Sequence, residues 1–211
     1  MARFGGHSPH SSMIHLNGNL LCAIDVETTG LDPQKHDIIQ LAVLPLDANI
    51  KPLETVMPFY VNMKPKRPEN IDKAAAKAHK IDMAKLIIEG LDPWKCVDMF
   101  EEWFERLRLP VGKKIVPLAH NWIFDSAFIK EWIGHLSYEH FIDYHYRDSM
   151  TAALYLNDRA DAHVEPYPYP KVSLNYMCST LNVENIKAHD ALSDCVATAE
   201  VYRRILLQQM L

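Results

Sequence analysis

Two acidic residues one position apart, at the end of an apolar run, constrain this chain more than any other feature. Leu20 to Ile24 predicts a buried strand, and Asp25 and Glu27 follow it directly. Alternate residues of a strand point to the same face, so the two carboxylates stand side by side. Ile24 and Val26 then point the other way, into a core. Two carboxylates so close together repel each other and are costly to desolvate.

A divalent cation between the two carboxylates would relieve both costs. Hard oxygen ligands suit Mg²⁺ or Mn²⁺. An isolated pair of this kind is more often solvated at the end of a strand or caps a turn. The metal interpretation therefore depends on whether the rest of the chain supplies further ligands.

The composition predicts one ordinary domain. With 211 residues the chain is long enough for a substantial core, and 48% hydrophobic with 23% charged residues is typical of soluble proteins. The net charge of −5 argues against a broad basic surface, although metal ions in an acidic site can recruit phosphate themselves. No apolar run approaches the roughly 18 residues that span a membrane. The four cysteines lack CxxC spacing, so we expect reduced core residues in a cytoplasmic protein without membrane contact.

The order of the predicted elements indicates an α/β fold. Residues 1–17, rich in Gly, Ser, His and Pro, predict a flexible arm, and residues 18–211 form one domain without repeats. Short turns separate the first three strands, which suits an antiparallel meander. Strands then alternate with helices, which implies parallel pairing with right-handed crossovers. The predicted strands are Leu20–Glu27, Asp37–Leu46, Thr55–Met63, Ile115–Ala119 and Phe141–Tyr144.

The helices are predicted from periodicity and from capping residues. Asp92 and Pro93 open one of them as N-cap and first helical residue. An apolar stripe along that helix predicts core positions at Trp94, Val97, Phe100, Phe104 and Leu107. The other helices are predicted at Lys73–Glu89 (as one helix or two), Asn121–Gly134, Asp148–Leu156, from Ser173 over a short stretch, and Ala191–Gln209.

Two loops leave alternatives open. The basic segment Lys64–Pro68 could touch a phosphate backbone or could be a solvated loop. The long segment Asn157–Lys171 ends in alternating prolines and tyrosines, and a loop of that length usually has a function or is disordered. Tyr167 and Tyr169 could stack on bases, or the segment could be a stiff polyproline connector.

Two further acids stand at positions where helices begin. Asp125 follows the strand Ile115–Ala119, and it shares a helix face with Asn121 at the positively polarised N-terminal end. Asp194 lies about one turn into the final helix. Taken alone, each of these acids is more often an ordinary surface or capping residue than a metal ligand.

Three segments, in this order, resemble the motifs of the DnaQ-like 3′–5′ exonucleases of the DEDDh branch. The first is Asp25-Val26-Glu27-Thr28-Thr29-Gly30 and the second is His120-Asn121-Trp122-Ile123-Phe124-Asp125. The third is His189 followed five positions later by Asp194. The resemblance runs from about Leu20 to Leu207 and includes the spacing between the motifs.

This resemblance implies a ribonuclease H-like mixed sheet, with three antiparallel strands followed by parallel strands and flanking helices. It implies a 3′–5′ exonuclease that hydrolyses phosphodiester bonds of single-stranded DNA or RNA from a free 3′ end. The reaction would use two divalent cations, Mg²⁺ or Mn²⁺, and release 5′-mononucleotides. The implied metal ligands are Asp25, Glu27, Asp125 and Asp194, and these four with the general base His189 form the catalytic set. The implied substrate contacts are Thr28, Thr29, Gly30, Leu31 and Asn121.

Other interpretations stay open at this level. A catalytically silent nucleic-acid-binding or scaffold protein could have the same fold, although all five expected catalytic residues are present. An enzyme that acts on a small phosphodiester would also suit the acidic net charge. The sequence does not distinguish DNA from RNA, nor a stand-alone enzyme from a homodimer or a polymerase partner.

Overall fold

The computed structural model describes residues 13–208, and these form a five-stranded mixed sheet flanked by helices. The spatial order is β3-β2-β1-β4-β5, with β2 antiparallel to both β1 and β3. β4 is parallel to β1 and to β5. The predicted mixed sheet is therefore confirmed. The strands are β1 (Leu20–Thr28), β2 (Ile38–Pro45), β3 (Phe59–Asn62), β4 (Ile115–Ala119) and β5 (Arg147–Asp148).

Three of the helices among these residues begin directly after an aspartate that caps them. Asp72, Asp82 and Asp92 each accept hydrogen bonds from the first backbone N–H groups of the helix that they precede. The helices are α1 (Lys73–His79), α2 (Met83–Glu89), α3 (Pro93–Arg106), α4 (Trp122–Ile133), α5 (His135–Phe141), α6 (Ser149–Ala162), α7 (Leu174–Thr180) and α8 (Ala191–Leu207).

The two faces of β1 pack into different parts of the core. Leu20, Cys22, Ile24 and Val26 belong to a cluster with the aromatic residues of α3, α4 and α5. Leu21 and Ala23 point to the opposite face, where they join a cluster that includes residues of α8. The strand period of two therefore directs the following acids toward the α8 face.

The predicted strand Phe141–Tyr144 is wrong. Phe141 ends α5, and Ile142 forms only a single bridge to Ile115 before β5 begins at Arg147. The side chain of Phe141 is buried against the rings of Phe100 and Phe104. The apolar character that suggested a strand thus comes from helix packing.

The predicted loop Asn157–Lys171 begins too early, because α6 continues to Ala162. Asn157 does not end the helix. Its side-chain amide instead donates to the backbone carbonyl of Tyr169 at 2.7 Å and accepts from the Tyr169 N–H at 3.0 Å. Tyr169 is 1% exposed, and its hydroxyl donates to Gln208 at 2.7 Å. Tyr169 is therefore a core residue and is not available for stacking on bases, whereas Tyr167 is about half exposed.

The apolar stripe of α3 is confirmed at Phe100, Phe104 and Leu107, but the prediction is wrong at Trp94. The indole of Trp94 is 65% exposed, and the ammonium of Lys66 lies over it at 4.3 Å from the ring centroid. Pro93 and Cys96 of the same turn are buried, so the side of the first turn that faces the core carries these two residues and not Trp94.

Residues 1–12 of the predicted arm lie outside the described residues. Ile14–Leu16 form a 3₁₀ helix, and Leu16 is buried in the same cluster as Leu21 and Val116. Within residues 13–208, none of the helices combines the length and the apolar composition needed to cross a membrane.

Candidate active site

Asp25 and Glu27 lie side by side on the α8 face of β1, as the sequence predicts. Asp25 pairs with Ala42 of β2 and Glu27 with Gln40, and the register shifts immediately afterwards, between Glu27 and Thr28. This irregularity ends the regular ladder at the acid pair. Both carboxylates are partly exposed, in contrast to the buried residues on either side of them.

Asp125 reaches the pair because β4 is shorter than β1. The pairing of β1 with β4 ends at Ala23 and Leu118, so the backbone N–H of Val26 has no partner on that side of the ladder. The carboxylate of Asp125 accepts this N–H at 3.1 Å. Asp125 lies in the first turn of α4 and is 3% exposed. A buried backbone donor is thereby satisfied, and the acid is fixed next to Asp25.

Asp194 is fixed from the loop before α8. Its two carboxylate oxygens accept the amide of Asn185 at 2.7 Å and the backbone N–H of His189 at 3.2 Å. Asp194 lies in the first turn of α8 and is 7% exposed. Within the described residues, Glu27, His189 and Asp194 form a compact group in which each residue offers one ligand atom within 4.8 Å of the others.

The electrostatics of the four acids are typical of a site built for cations. Burial, and then the negative charges of Asp125, Asp194 and Glu27, raises the pKa of Asp25 well above its usual value. Burial also raises the pKa of Asp125 and Asp194, although hydrogen bonds to their carboxylates offset part of this increase. The pKa of Glu27 is raised to about 8, by burial first and then by the charges of Asp194 and Asp190. Divalent cations would stabilise the charged forms of all four carboxylates, so these residues fit such a cofactor.

His189 lies at the rim of this group rather than inside it. Its side chain is exposed, and its backbone has a left-handed φ of 66°. This conformation is uncommon for residues other than glycine, so its surroundings must help to hold it. The bond from its N–H to Asp194 and the start of α8 directly afterwards do so. The imidazole is thus free on its open side to meet a water molecule or a substrate.

The start of α8 is held against the sheet by a network that the sequence did not reveal. Asp190 caps the helix, and it accepts the hydroxyl of Tyr60 at 2.8 Å and the ammonium of Lys187 at 2.7 Å. Burial alone would raise the pKa of Asp190, but the hydrogen bonds from Lys187 and Tyr60 lower it. Gln40 completes the network, because it accepts the backbone N–H of Ala191 at 2.7 Å.

The missed residues differ in how visible they are in the sequence. Asp190 precedes a helix by one position, as an N-cap does, so it could have been recognised there. Asn185, Gln40 and Tyr60 carry no local signal, because their partners are distant in the chain. His79 is also buried, and its Nε2 has no hydrogen-bond partner among residues 13–208. Burial, and then the charge of His189, lowers the pKa of His79, so the two histidines lie near each other.

The segment Thr28–Leu31 forms a fixed turn next to the acids. The hydroxyl of Thr28 donates to the carbonyl of Gly30 at 2.7 Å, and Thr29 is fully buried. Gly30 is not among the residues with positive φ. A Cβ at this position would instead lie 2.4 Å from the imidazole of His36. Leu31, at the end of the turn, is 79% exposed.

Asn121 precedes α4 and is not part of its first turn. It is exposed, and it has a left-handed φ of 80°. Asp148 rather than Asn121 provides the cap of α4, because its carboxylate accepts the N–H of Trp122 at 2.7 Å. His120 is hydrogen-bonded to Ser149 at 2.8 Å, so it connects the turn between β4 and α4 to the start of α6.

Comparison with protein families places this geometry in context. A family model described as an exonuclease matches residues 22–202. Ribonuclease T of Wigglesworthia glossinidia brevipalpis is 28% identical over 195 residues, which cover 87% of this chain and 82% of that protein. An oligoribonuclease of Klebsiella pneumoniae is 29% identical over 142 residues, which cover 64% of this chain and 74% of that protein.

Comparison with solved structures supports the fold. The structure of E. coli exonuclease I in complex with a dT13 oligonucleotide matches with a TM-score of 0.65 at 18% identity. The match covers 90% of this chain but only 42% of the exonuclease I chain, so the present chain spans about two fifths of that protein. The similarity shows that the two share an exonuclease fold.

Proposed function

We propose that this chain, which belongs to the exonuclease family, is a 3′–5′ exonuclease of single-stranded nucleic acid, and we assign the residues that carry the reaction. Asp25, Glu27, Asp125 and Asp194 hold two divalent cations, either Mg²⁺ or Mn²⁺. His189 is the general base. The observation that carries this proposal is the convergence of four carboxylates from β1, α4 and α8. Burial is the largest cause of a raised pKa in each of the four.

The carboxylates divide into two kinds of ligand. Asp125 and Asp194 are buried and already fixed by hydrogen bonds from Val26, Asn185 and the His189 backbone. Asp25 and Glu27 are more accessible and face the same side of β1. When bound, the divalent cations lower the pKa of an attacking water and stabilise the negative charge that develops on the phosphodiester. Asp125 and Asp194 therefore hold fixed ligand positions, whereas Asp25 and Glu27 face the scissile phosphate.

His189 receives the proton of the attacking water on an imidazole nitrogen. That nitrogen lies within 4.8 Å of carboxylate oxygens of Glu27 and Asp194, which is close enough to reach a water held at those oxygens. Its ring is exposed, so the proton can then leave to solvent. The left-handed backbone at His189 and the fixed start of α8 position the imidazole before substrate arrives.

The terminal nucleotide is held by the turn after β1. The exposed side chain of Leu31 offers an apolar contact to the 3′-terminal base. Thr28 and Gly30 form the turn that holds Leu31 in place, and the backbone groups of fully buried Thr29 are already bonded to Asp37 and Asp72, so Thr29 supports this contact without touching the nucleotide. Asn121 contacts the substrate from the α4 side. We expect a free 3′ end to be required and the product to be a 5′-mononucleotide.

We propose further that residues 18–211 act as a single exonuclease domain in the cytoplasm. The four cysteines are all buried and unpaired, which fits a reducing compartment. A homodimer or a polymerase partner stays a prediction, and sedimentation of the purified chain at several concentrations tests the former.

The experiment that tests the proposed site compares Asp194→Asn with the parent on a 5′-labelled single strand in Mg²⁺. Asparagine keeps the size and one acceptor oxygen of Asp194 but removes the charge, so we expect degradation to be abolished while the circular dichroism spectrum is unchanged. Asp98→Asn, at an exposed position of α3, is the matched control. Full activity of the Asp194 variant would refute the assignment.

A further inference from the structure

Arg67 makes an unusually large number of hydrogen bonds to the loop of residues 30–36 and to Asp37, which follows it. Its guanidinium forms an ion pair with Asp37 at 2.8 Å, and its backbone N–H donates to the other Asp37 oxygen at 2.7 Å. Further guanidinium N–H groups donate to the carbonyls of His36 at 2.7 Å and Pro33 at 3.3 Å, and to that of Gln34. Asp37 is 6% exposed, so this charge pair is largely shielded from water.

Asp37 transmits this contact to the turn beside the acids. The backbone N–H of Thr29 donates to the Asp37 carbonyl at 2.9 Å, and the Asp37 N–H donates to the Thr29 hydroxyl at 2.9 Å. The carbonyl of Thr29 in turn accepts the N–H of Asp72 at 2.8 Å. The two ends of loop 30–36 are thus joined at Thr29 and Asp37, and Arg67 bonds the second half of the loop to Asp37.

Loop 30–36 carries a single large apolar side chain out into solvent, that of Leu31. An exposed leucine has no special meaning by itself. Here it lies four residues after Glu27, on a loop that is bonded at both ends and across its middle. Contacts with the terminal nucleotide from such a loop cost little conformational entropy, because the loop is ordered beforehand.

We propose that Arg67 is a positioning residue that fixes Leu31 against the 3′-terminal nucleotide through Asp37 and Thr29. This inference rests on the proposed function, in which Leu31 contacts the terminal base. It also assigns the basic segment Lys64–Pro68 a role that differs from phosphate binding. The guanidinium of Arg67 is directed toward Asp37 and the loop carbonyls, and Lys66 lies over Trp94.

Lysine at position 67 is the informative substitution. It keeps the charge next to buried Asp37, so the protein should fold, but a single ammonium cannot replace the planar fork that reaches several acceptors. We expect Arg67→Lys to raise KM for a single-stranded oligonucleotide by about tenfold, with a smaller change in kcat, because misplacement affects binding geometry. A merely structural role would lower the active fraction, and hence kcat, without changing KM.

A double-mutant cycle tests whether Arg67 acts through Leu31. Leu31→Ala and Arg67→Lys should each raise KM, and the double variant should be no worse than the poorer single variant. An oligonucleotide with an abasic 3′ terminus should show the same KM with the parent and with Arg67→Lys. Additive effects, or an undiminished effect on the abasic substrate, would overturn the inference.

Two controls separate the alternatives. Lys66→Ala should leave KM nearly unchanged, and a loss of affinity equal to that of Arg67→Lys with a steep salt dependence would indicate phosphate binding and overturn the inference. Arg106→Lys alters an arginine that is far from the loop in sequence and mostly exposed.

Amide hydrogen exchange measures the order of loop 30–36 independently of enzyme activity. Amides of residues 30–36 should exchange faster in Arg67→Lys than in Arg106→Lys. Equal exchange in the two variants would overturn the role of Arg67 whatever the kinetics show. An inactive parent enzyme would instead overturn the proposed function, and with it the substrate contact of Leu31.

Discussion

Replacing Glu27 with glutamine should stabilise the protein in the absence of metal, and the gain should grow with pH. Burial and the charges of Asp194 and Asp190 raise the pKa of Glu27 from its usual 4.5 to about 8. The native state therefore binds this proton more tightly than the unfolded state does. Such a group contributes stability that is fully present below the unfolded pKa and is lost as pH rises through the folded pKa.

The size of the effect follows from the shift. Each unit of pKa difference corresponds to about 1.36 kcal/mol, so a shift of roughly 3.5 units costs on the order of 5 kcal/mol once Glu27 is fully ionised above pH 8. At pH 7 the cost is on the order of 3 kcal/mol, and at pH 5 it is about 1 kcal/mol or less. Glutamine has no ionisation and avoids this cost at every pH.

Urea unfolding in EDTA at pH 5, 7 and 9 measures the difference between the parent and Glu27→Gln. Glu101→Gln, at an exposed position of α3, is the matched control and should not differ from the parent in its pH dependence. Added Mg²⁺ should stabilise the parent at pH 9 much more than the Glu27 variant, because it replaces the lost proton with a cation. A gain that is the same at pH 5 and pH 9, or a loss at pH 9, would refute the electrostatic reasoning.

Two further predictions concern His189 and Asp148. His189→Gln should lower kcat by about two to four orders of magnitude, the usual contribution of a general base. Steady-state kinetics as a function of pH should show an altered pH–rate profile. An unaltered profile at the full parent rate would exclude His189 as the general base. Asp148→Ala should lower the free energy of unfolding by about 2–3 kcal/mol, because its buried carboxylate caps α4 through the Trp122 N–H at 2.7 Å and α6 through the Thr151 N–H at 3.0 Å. Urea unfolding checks this value against Asp158→Ala on the exposed side of α6, and equal stability of the two variants would contradict the double cap.

The sequence predicts those parts of the fold that depend on local patterns. The alternation of apolar residues in β1 places Ile24 and Val26 in the core, where they are 1% and 6% exposed. Asp92 followed by Pro93 marks the start of α3 correctly, because capping involves neighbouring residues only. The three motifs likewise predict that distant acids meet, because Asp25 and Glu27 end a strand while Asp125 and Asp194 each lie in the first turn of a helix.

The errors arise where distant contacts override local preference. Asparagine is usually unfavourable inside a helix, but the side-chain hydrogen bonds of Asn157 to Tyr169 accompany its place inside α6. Phe141 has strand character, but packing against α3 makes it the end of a helix. Trp94 follows the apolar period of α3 and is nevertheless exposed. Gln40 and Asp190 are ordinary polar residues until the fold places β2 beneath the start of α8.

The most direct test of the proposed site follows the polarity and the product of the reaction. The parent chain is incubated in Mg²⁺ with matched single strands of DNA and RNA that carry either a free or a blocked 3′ end, and the products are identified by mass spectrometry. We expect 5′-mononucleotides from strands with a free 3′ end, little or no cleavage of blocked strands, and no cleavage by Asp125→Asn. Release of mononucleotides by Asp125→Asn at the parent rate, or cleavage of blocked strands at internal positions, would contradict this expectation.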